Sequence, residues 1–261
     1  MTNRKMTIII TGSSSGIGYA LAKKYANPEV SLFLFGRSSE KLAEVSKICT
    51  DKGAQVQFFS CDVQDELSMK QQIEQICQEH IVDVLIACAG VSAGTLGHPE
   101  TQTQVDIIFK TNVGGMLNTI MPVIPSMIKN NGGQIAVVSS MAGLIGLSSA
   151  PSYSASKASV KIFGDALRSY LKSFNIKVSV IIPGYVKTPM TDVNNFPMPF
   201  MITADKAAEI IAKGLAKNKG VIAFPLSTYF ILKLMNLLPY RLIDFINSKL
   251  PGKPAFDQQN N

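Results

Sequence analysis

The 261-residue sequence predicts an α/β chain, a doubly wound parallel sheet of about seven strands with helices on both faces. Three observations predict it. Short apolar runs recur along the chain, stretches of helical spacing lie between most of them, and a glycine-rich turn joins the first run to the first helical stretch. The hydrophobic fraction of 46% against 16% charged belongs to a globular chain. No linker, low-complexity tract or internal repeat divides it, so residues 1–261 read as a single domain.

The elements follow in order. The run Thr7–Ile10 reads as a buried strand, and the spacing of Ile17–Ala26 as the helix after it. A second strand is expected at Val30–Phe35, then a helix over Glu40–Lys52 that Ser38 or Ser39 can cap. A strand at Val56–Ser60 and a helix at Glu66–Gln78 come next, followed by a strand at Val84–Ala87 and a long helical stretch, Val105–Ile128. Strands at Gln134–Ser139 and Lys177–Ile182 flank a helix at Tyr153–Phe174. Thr203 precedes a helix expected over Asp205–Ala216, and Val221–Phe224 is the last strand, all of them read as buried. Tyr185–Ile202, with Pro189, Pro197 and Pro199, has no clean period and is long for a connection. This stretch, near residues 185–204, is expected to be a loop over a substrate.

Charge and cysteine usage narrow the partners. A formal charge of +7 and a pI near 9.2 suit a polyanion, but the Lys and Arg residues are scattered, so no nucleic-acid partner is expected. A phosphorylated cofactor or an anionic membrane surface would use the same charge. Cys49, Cys61, Cys77 and Cys88 form no C-x-x-C pair, so neither a disulfide framework nor a zinc site is indicated. His80 and His98 read as surface histidines, and no metal is expected. Met1–Lys5 leads directly into the apolar run Met6–Ile10, which is too short for the core of a signal peptide; a cytoplasmic location is the expectation.

After the first strand comes Thr11-Gly12-Ser13-Ser14-Ser15-Gly16-Ile17-Gly18. Glycines at this spacing permit a tight turn and close backbone approach to a pyrophosphate, and the following helix directs free N–H groups at that anion. Glycine-rich turns also end strands for structural reasons alone, and only the position between strand and helix favours the dinucleotide. The second strand ends Leu34-Phe35-Gly36-Arg37-Ser38, where such a fold places the adenosine ribose. No carboxylate stands there. Arg37 presents a forked cation for a 2′-phosphate, which points to NADP(H); a solvated Arg37 would leave NADH in use. Asp62-Val63 could meet the adenine, or Asp62 could cap the next helix.

Tyr153 and Lys157 stand four residues apart, on one face of the helix that starts after Pro151. A phenol near pKa 10 exchanges protons poorly at neutral pH, and a neighbouring ammonium lowers the cost of the phenolate. Ser140 ends the fifth strand, at the sheet edge where open α/β proteins bind ligands. Asn112 places an amide in an otherwise apolar helical stretch, where a water or a backbone carbonyl near Lys157 would satisfy it. Taken singly, each of these residues has an ordinary structural reading.

Together the motifs resemble those of a classical short-chain dehydrogenase/reductase, from about Met6 to Thr188. They are Thr11–Gly18, Asp62-Val63, Ala87-Cys88-Ala89-Gly90, Asn112, Ser140, Tyr153 with Lys157, and Pro183-Gly184 followed by Val186 and Thr188. The resemblance implies a Rossmann-like fold and a carbonyl–alcohol oxidoreductase in which Tyr153 is the acid, Ser140 holds the substrate oxygen, Lys157 binds the nicotinamide ribose, Asn112 supports a relay water and Thr188 contacts the carboxamide. The cofactor-binding set it implies is Gly12, Ser14, Ser15, Gly16, Ile17, Gly18, Arg37, Asp62, Val63, Ala89, Gly90, Asn112, Tyr153, Lys157, Pro183, Gly184, Val186 and Thr188. One departure stands out: Ala87-Cys88 occupies the place where the family usually has two asparagines, and activity is expected to survive it. The alternatives are an epimerase or dehydratase of the same architecture and a non-catalytic NADP(H)-binding regulator.

The segment Val221–Leu250 is rich in Leu, Ile and Phe, with Lys233, Arg241 and Lys249 interspersed. Three readings stand: an interface in a homo-oligomer, a wall for a lipophilic small-molecule substrate, or peripheral contact with a membrane surface. The apolar residues Phe196–Met201 favour a lipophilic ketone or alcohol.

Overall fold

The computed structural model describes residues 4–95, 97–249 and 252–256. The first half alternates strand and helix: β1 (Met6–Thr11), α1 (Gly16–Tyr25), β2 (Val30–Gly36), α2 (Ser39–Asp51), β3 (Gln55–Ser60), α3 (Glu66–Glu79) and β4 (Val82–Ala87). Then come α4 (Gln102–Phe109), a π-helical turn (Lys110–Gly114), α5 (Gly115–Ile120), α6 (Ile124–Lys129), β5 (Gly133–Val138), α7 (Pro151–Tyr170) and β6 (Ile176–Pro183). The chain continues through β7 (Val186–Lys187), α8 (Pro189–Asp192), β8 (Ile202–Thr203), α9 (Ala204–Ala216), β9 (Val221–Phe224), α10 (Leu226–Met235) and α11 (Tyr240–Asn247).

Seven strands form one sheet in the order β3-β2-β1-β4-β5-β6-β9, every neighbouring pair parallel. Parallel neighbours need crossovers, and alternate residues of each strand therefore meet helices on opposite faces. Ile9, Phe33, Phe35, Leu85 and Val137 pack with Met69 and Ile73 of α3, Ile120 of α5 and Val160 of α7. Ile8, Ile10, Leu32, Leu34 and Ile86 pack with Leu21 of α1, Leu42 of α2 and Ile211 of α9. The winding reverses between β1 and β4, which opens a crevice at the carboxyl ends of these strands.

The doubly wound sheet of seven strands is thus as expected, and so are two caps: Ser38 Oγ accepts the Lys41 N–H at 3.3 Å and Thr203 Oγ1 accepts the Lys206 N–H at 3.2 Å. Four details differ. The strand expected to be buried at Val56–Ser60 is the sheet's edge, and most of β3 is exposed because only β2 covers it. The cap of α3 is Asp65, whose Oδ1 accepts the Ser68 N–H at 3.0 Å, while Asp62 closes a short turn onto the Gln64 N–H. The helix expected over Val105–Ile128 is interrupted by the π-helical turn around Asn112. After β9 the apolar segment forms two helices, α10 and α11; the expectations for Met1–Asn3 and Leu250 fall outside the described residues. The stretch Gln102–Lys129 is long and apolar enough to cross a membrane by length and composition, but Met116, Ile120, Val123 and Met127 lie buried in the core, as in a helix that covers a sheet.

Candidate active site

Where β1 ends, the chain must turn at once to start α1. Gly12 and Gly16 take left-handed backbone, φ +69° and +55°. A Cβ on Gly12 would lie 2.8 Å from the Ala89 backbone, and one on Gly18 only 2.3 Å from the Gly12 carbonyl oxygen. The turn is pinned on two sides. Ser13 Oγ donates to the Phe35 carbonyl at 3.0 Å, and Thr11 Oγ1 accepts the N–H groups of Cys88 and Ala89 at 3.2 and 3.3 Å. Helix α1 has no side-chain cap at Ser15 and no acidic residue in its first turn, so its free N–H groups and positive end are left for an anion.

A cavity of ≈ 530 Å³ opens over this turn. Gly12, Ser14, Ser15, Gly16, Ile17 and Gly18 line one end, together with Arg37 from the end of β2 and Asp62 and Val63 from the end of β3. Arg37 is exposed and has no carboxylate partner among the described residues. Ala89 and Gly90 line it as well, as do Pro183, Gly184, Val186 and Thr188, the last with its Cγ2 only 3.0 Å from where a Cβ on Gly16 would lie.

Ser140, Tyr153 and Lys157 line the same cavity. Tyr153 and Lys157 sit one turn apart on α7, which Pro151 opens at a position where a missing N–H costs nothing. The Lys157 ammonium lies 6.0 Å from the Tyr153 ring centre and donates to the Val138 carbonyl at 3.0 Å. Burial pulls it down to about 8. Burial also raises the Tyr153 phenol above its usual value, against hydrogen bonds with Ser140 and Ser92 that pull the other way. Asn112 stands behind the cavity wall, buried in the π-helical turn. Its Oδ1 accepts the Val91 N–H at 2.8 Å, and its Nδ2 donates to the Val91 carbonyl and Ser156 Oγ, both at 3.0 Å. The amide thereby ties the segment after β4 to the helix that carries Tyr153.

The expected catalytic and cofactor-binding residues therefore line one cavity, Asn112 excepted. The sequence profile of the short chain dehydrogenase family matches residues 6–197. The chain belongs to this oxidoreductase family. Over 239 residues this short-chain dehydrogenase is 33% identical to an uncharacterized oxidoreductase of Myxococcus xanthus, covering 91% of this chain and 94% of that one. Two solved structures share its fold. A short-chain dehydrogenase from Sphingobium yanoikuyae in complex with NADPH superposes with a TM-score of 0.79 at 20% identity, over 97% of this chain and 99% of that chain. A short chain dehydrogenase/reductase from Burkholderia phymatum in complex with NAD gives 0.82 at 22% identity, with the same coverage.

The short-chain dehydrogenase has cavity residues that no local motif announced. Thr111 Oγ1 is buried at the wall without a hydrogen-bond partner, Ser92 lies beside Tyr153, and Lys253 reaches in from the far end of the chain. The departure at Ala87-Cys88 leaves the backbone of this segment held by Thr11. Burial pushes the Cys88 thiol up to about 11 despite Lys157 nearby, which keeps it protonated at neutral pH.

Proposed function

We propose that this enzyme is an NADP(H)-dependent oxidoreductase that interconverts a ketone and a secondary alcohol on a lipophilic substrate. The observation that carries the proposal is the convergence of Ser140, Tyr153 and Lys157 on the cavity that the uncapped glycine turn also lines. The residues present fit a dinucleotide: the turn has no room for a Cβ, the α1 N–H groups need an acceptor, and Thr111 offers a buried hydroxyl without a partner. In this reading Gly12–Gly18 would hold the pyrophosphate, Asp62 and Val63 the adenine, and Ala89, Gly90, Pro183, Gly184, Val186 and Thr188 would border the nicotinamide. Arg37, free of a carboxylate among the described residues, would hold a 2′-phosphate and favour NADP(H) over NAD(H).

When bound, the dinucleotide supplies or accepts the hydride. Ser140 donates to the substrate oxygen and holds it beside the phenol. As charge develops on that oxygen during reduction, Tyr153 transfers its proton there, and in oxidation it takes the proton back. Lys157 lowers the cost of the phenolate through its positive charge and would hold the nicotinamide ribose. Asn112 keeps the Val91 segment and α7 in register, and its Oδ1 and the Lys157 ammonium both lie against Gly90, a place that suits a relay water. Ile145, Leu147, Met190, Phe196 and Leu232 make the substrate end apolar, which favours a lipophilic carbonyl compound.

The proposal takes the enzyme to be cytoplasmic and a single domain over residues 1–261, built on one seven-stranded sheet. The outer face of α10 and α11 is the surface we assign to a second copy of the chain.

A panel of ketones and alcohols followed by NADPH absorbance in both directions tests the function. Tyr153→Phe should lower turnover by roughly 10²–10⁴-fold while the dinucleotide still binds. An unchanged rate removes the phenol from the chemistry, and binding without turnover of any member leaves a dinucleotide-binding regulator. The cofactor assignment has its own measure: kcat/KM should favour NADPH over NADH, and Arg37→Ala should erase the preference.

A further inference from the structure

The last described residues return to the active site. The Gly94 N–H donates to the Pro254 carbonyl at 2.8 Å, and the Phe256 N–H donates to Oε1 of Gln104, a buried side chain whose Nε2 in turn donates to the Gly94 carbonyl. A Cβ on Gly94 would lie 2.4 Å from the Lys253 carbonyl oxygen and 2.5 Å from Lys253 Cβ, so the tail is seated directly on a glycine. This seating aims Lys253 into the cavity. Its Nζ donates to Ser92 Oγ at 2.7 Å and lies 5.9 Å from the Tyr153 ring centre, as near as the Lys157 ammonium at 6.0 Å.

Two lysines at one phenol need separate explanations. Lys157 donates to a backbone carbonyl and belongs to the Tyr-x-x-x-Lys pair, whereas Lys253 has only the Ser92 hydroxyl among the hydrogen bonds of the described residues, and no carboxylate there within ion-pair reach. Apolar side chains, Ile145, Leu147 and Leu232, line the cavity it enters. A partly buried ammonium with only the Ser92 partner among the described residues is held at a cost that a second ion would offset. Burial indeed lowers Lys253 to about 8. Its compact charge faces the space where the substrate oxygen must approach Tyr153.

We propose that Lys253 is the anion-binding residue of the substrate site, so that the natural substrate carries an oxyanion, carboxylate or phosphate, a few bonds from the reacting carbonyl, with a lipophilic remainder against the apolar wall. The proposal rests on the cavity being a carbonyl–alcohol site. It adds the substrate's charge, which the family motifs leave open.

The test uses non-reacting ligands, so that it does not depend on turnover. Decanoate, decyl phosphate and methyl decanoate are titrated into the purified full chain with NADPH present, for the wild type, Lys253→Met and Lys253→Arg. In the wild type at least one anion should bind roughly tenfold or more tighter than the ester, as a charge-assisted contact in a dry site implies. Which anion it is distinguishes carboxylate from phosphate. Lys253→Met should bring the anion-to-ester ratio near one, and Lys253→Arg should keep most of it. Thermal denaturation of each variant reports whether the tail still docks. Equal affinity of wild type for anions and ester overturns the proposal, and so does a Lys253→Met variant that folds and keeps the full ratio. If anions are preferred but no carbonyl compound is turned over, the proposed reaction fails and the anion site stands.

Discussion

Tyr153 and Lys157 are opposed by the same burial that brings them together: it raises the phenol and lowers the ammonium to about 8. In the free enzyme the phenol is therefore neutral over the working range, which suits an acid in the reductive direction, and the ammonium is the group that titrates. As pH rises through about 8, Lys157 loses the charge that favours proton loss from Tyr153. Hence kcat/KM for reduction of an uncharged ketone should be flat below that pH and decline above it. Lys253 titrates in the same range, at about 8, so the profile is measured in Lys253→Met as well. A decline that survives this substitution belongs to Lys157, and one that disappears belongs to the tail.

At the scale of elements, what the sequence disclosed depends on how local each signal is. The glycine turn is complete within eight residues and the Tyr153–Lys157 pair within one helical turn, so both could be read without tertiary information. Thr111, Ser92 and Lys253 carry no such local mark, because their cavity positions come from the π-helical turn, the loop after β4 and the docking of the tail. The same reasoning covers β3: its Val and Phe residues satisfy the pattern of a buried strand, and only the strand order shows that it is an edge. It also covers Asp65, which competes with Asp62 for a cap that either could have made. The first turn of α1 gives a test at this scale. Gly18→Ala places a methyl group against the Gly12 carbonyl, backbone against which no side chain can yield. Overpacking of this kind should lower stability by about 1–3 kcal/mol. Because the displaced atoms belong to the turn proposed to hold the pyrophosphate, the KM for NADPH should rise further than the KM for the ketone. A thermal scan and the two KM values measure both effects, and equal KM changes would detach the turn from cofactor binding.

At the scale of the molecule, the carboxyl-terminal helices divide the apolar segment between two roles. Thr228 and Leu232 line the cavity, so one side of α10 borders the space proposed for the substrate. The other side, with α11, leaves Phe230, Leu234, Leu237, Tyr240 and Phe245 between 62% and 84% exposed. This exposed apolar face is the surface proposed above for a second copy of the chain. Lys233 lies over the Tyr229 ring at 5.0 Å and Lys249 over Phe245 at 5.8 Å, so the cations flank the apolar surface rather than interrupt it. If a second copy covers this face, light scattering on the wild type should report a dimer or larger assembly, and the double substitution Leu234→Glu with Phe245→Glu should leave a monomer. Neither residue lines the cavity, so the monomer should retain the proposed ketone reduction. A wild-type monomer that floats with anionic vesicles would instead give the face to a membrane surface, with the flanking lysines as the reason, and the same double substitution should then abolish flotation.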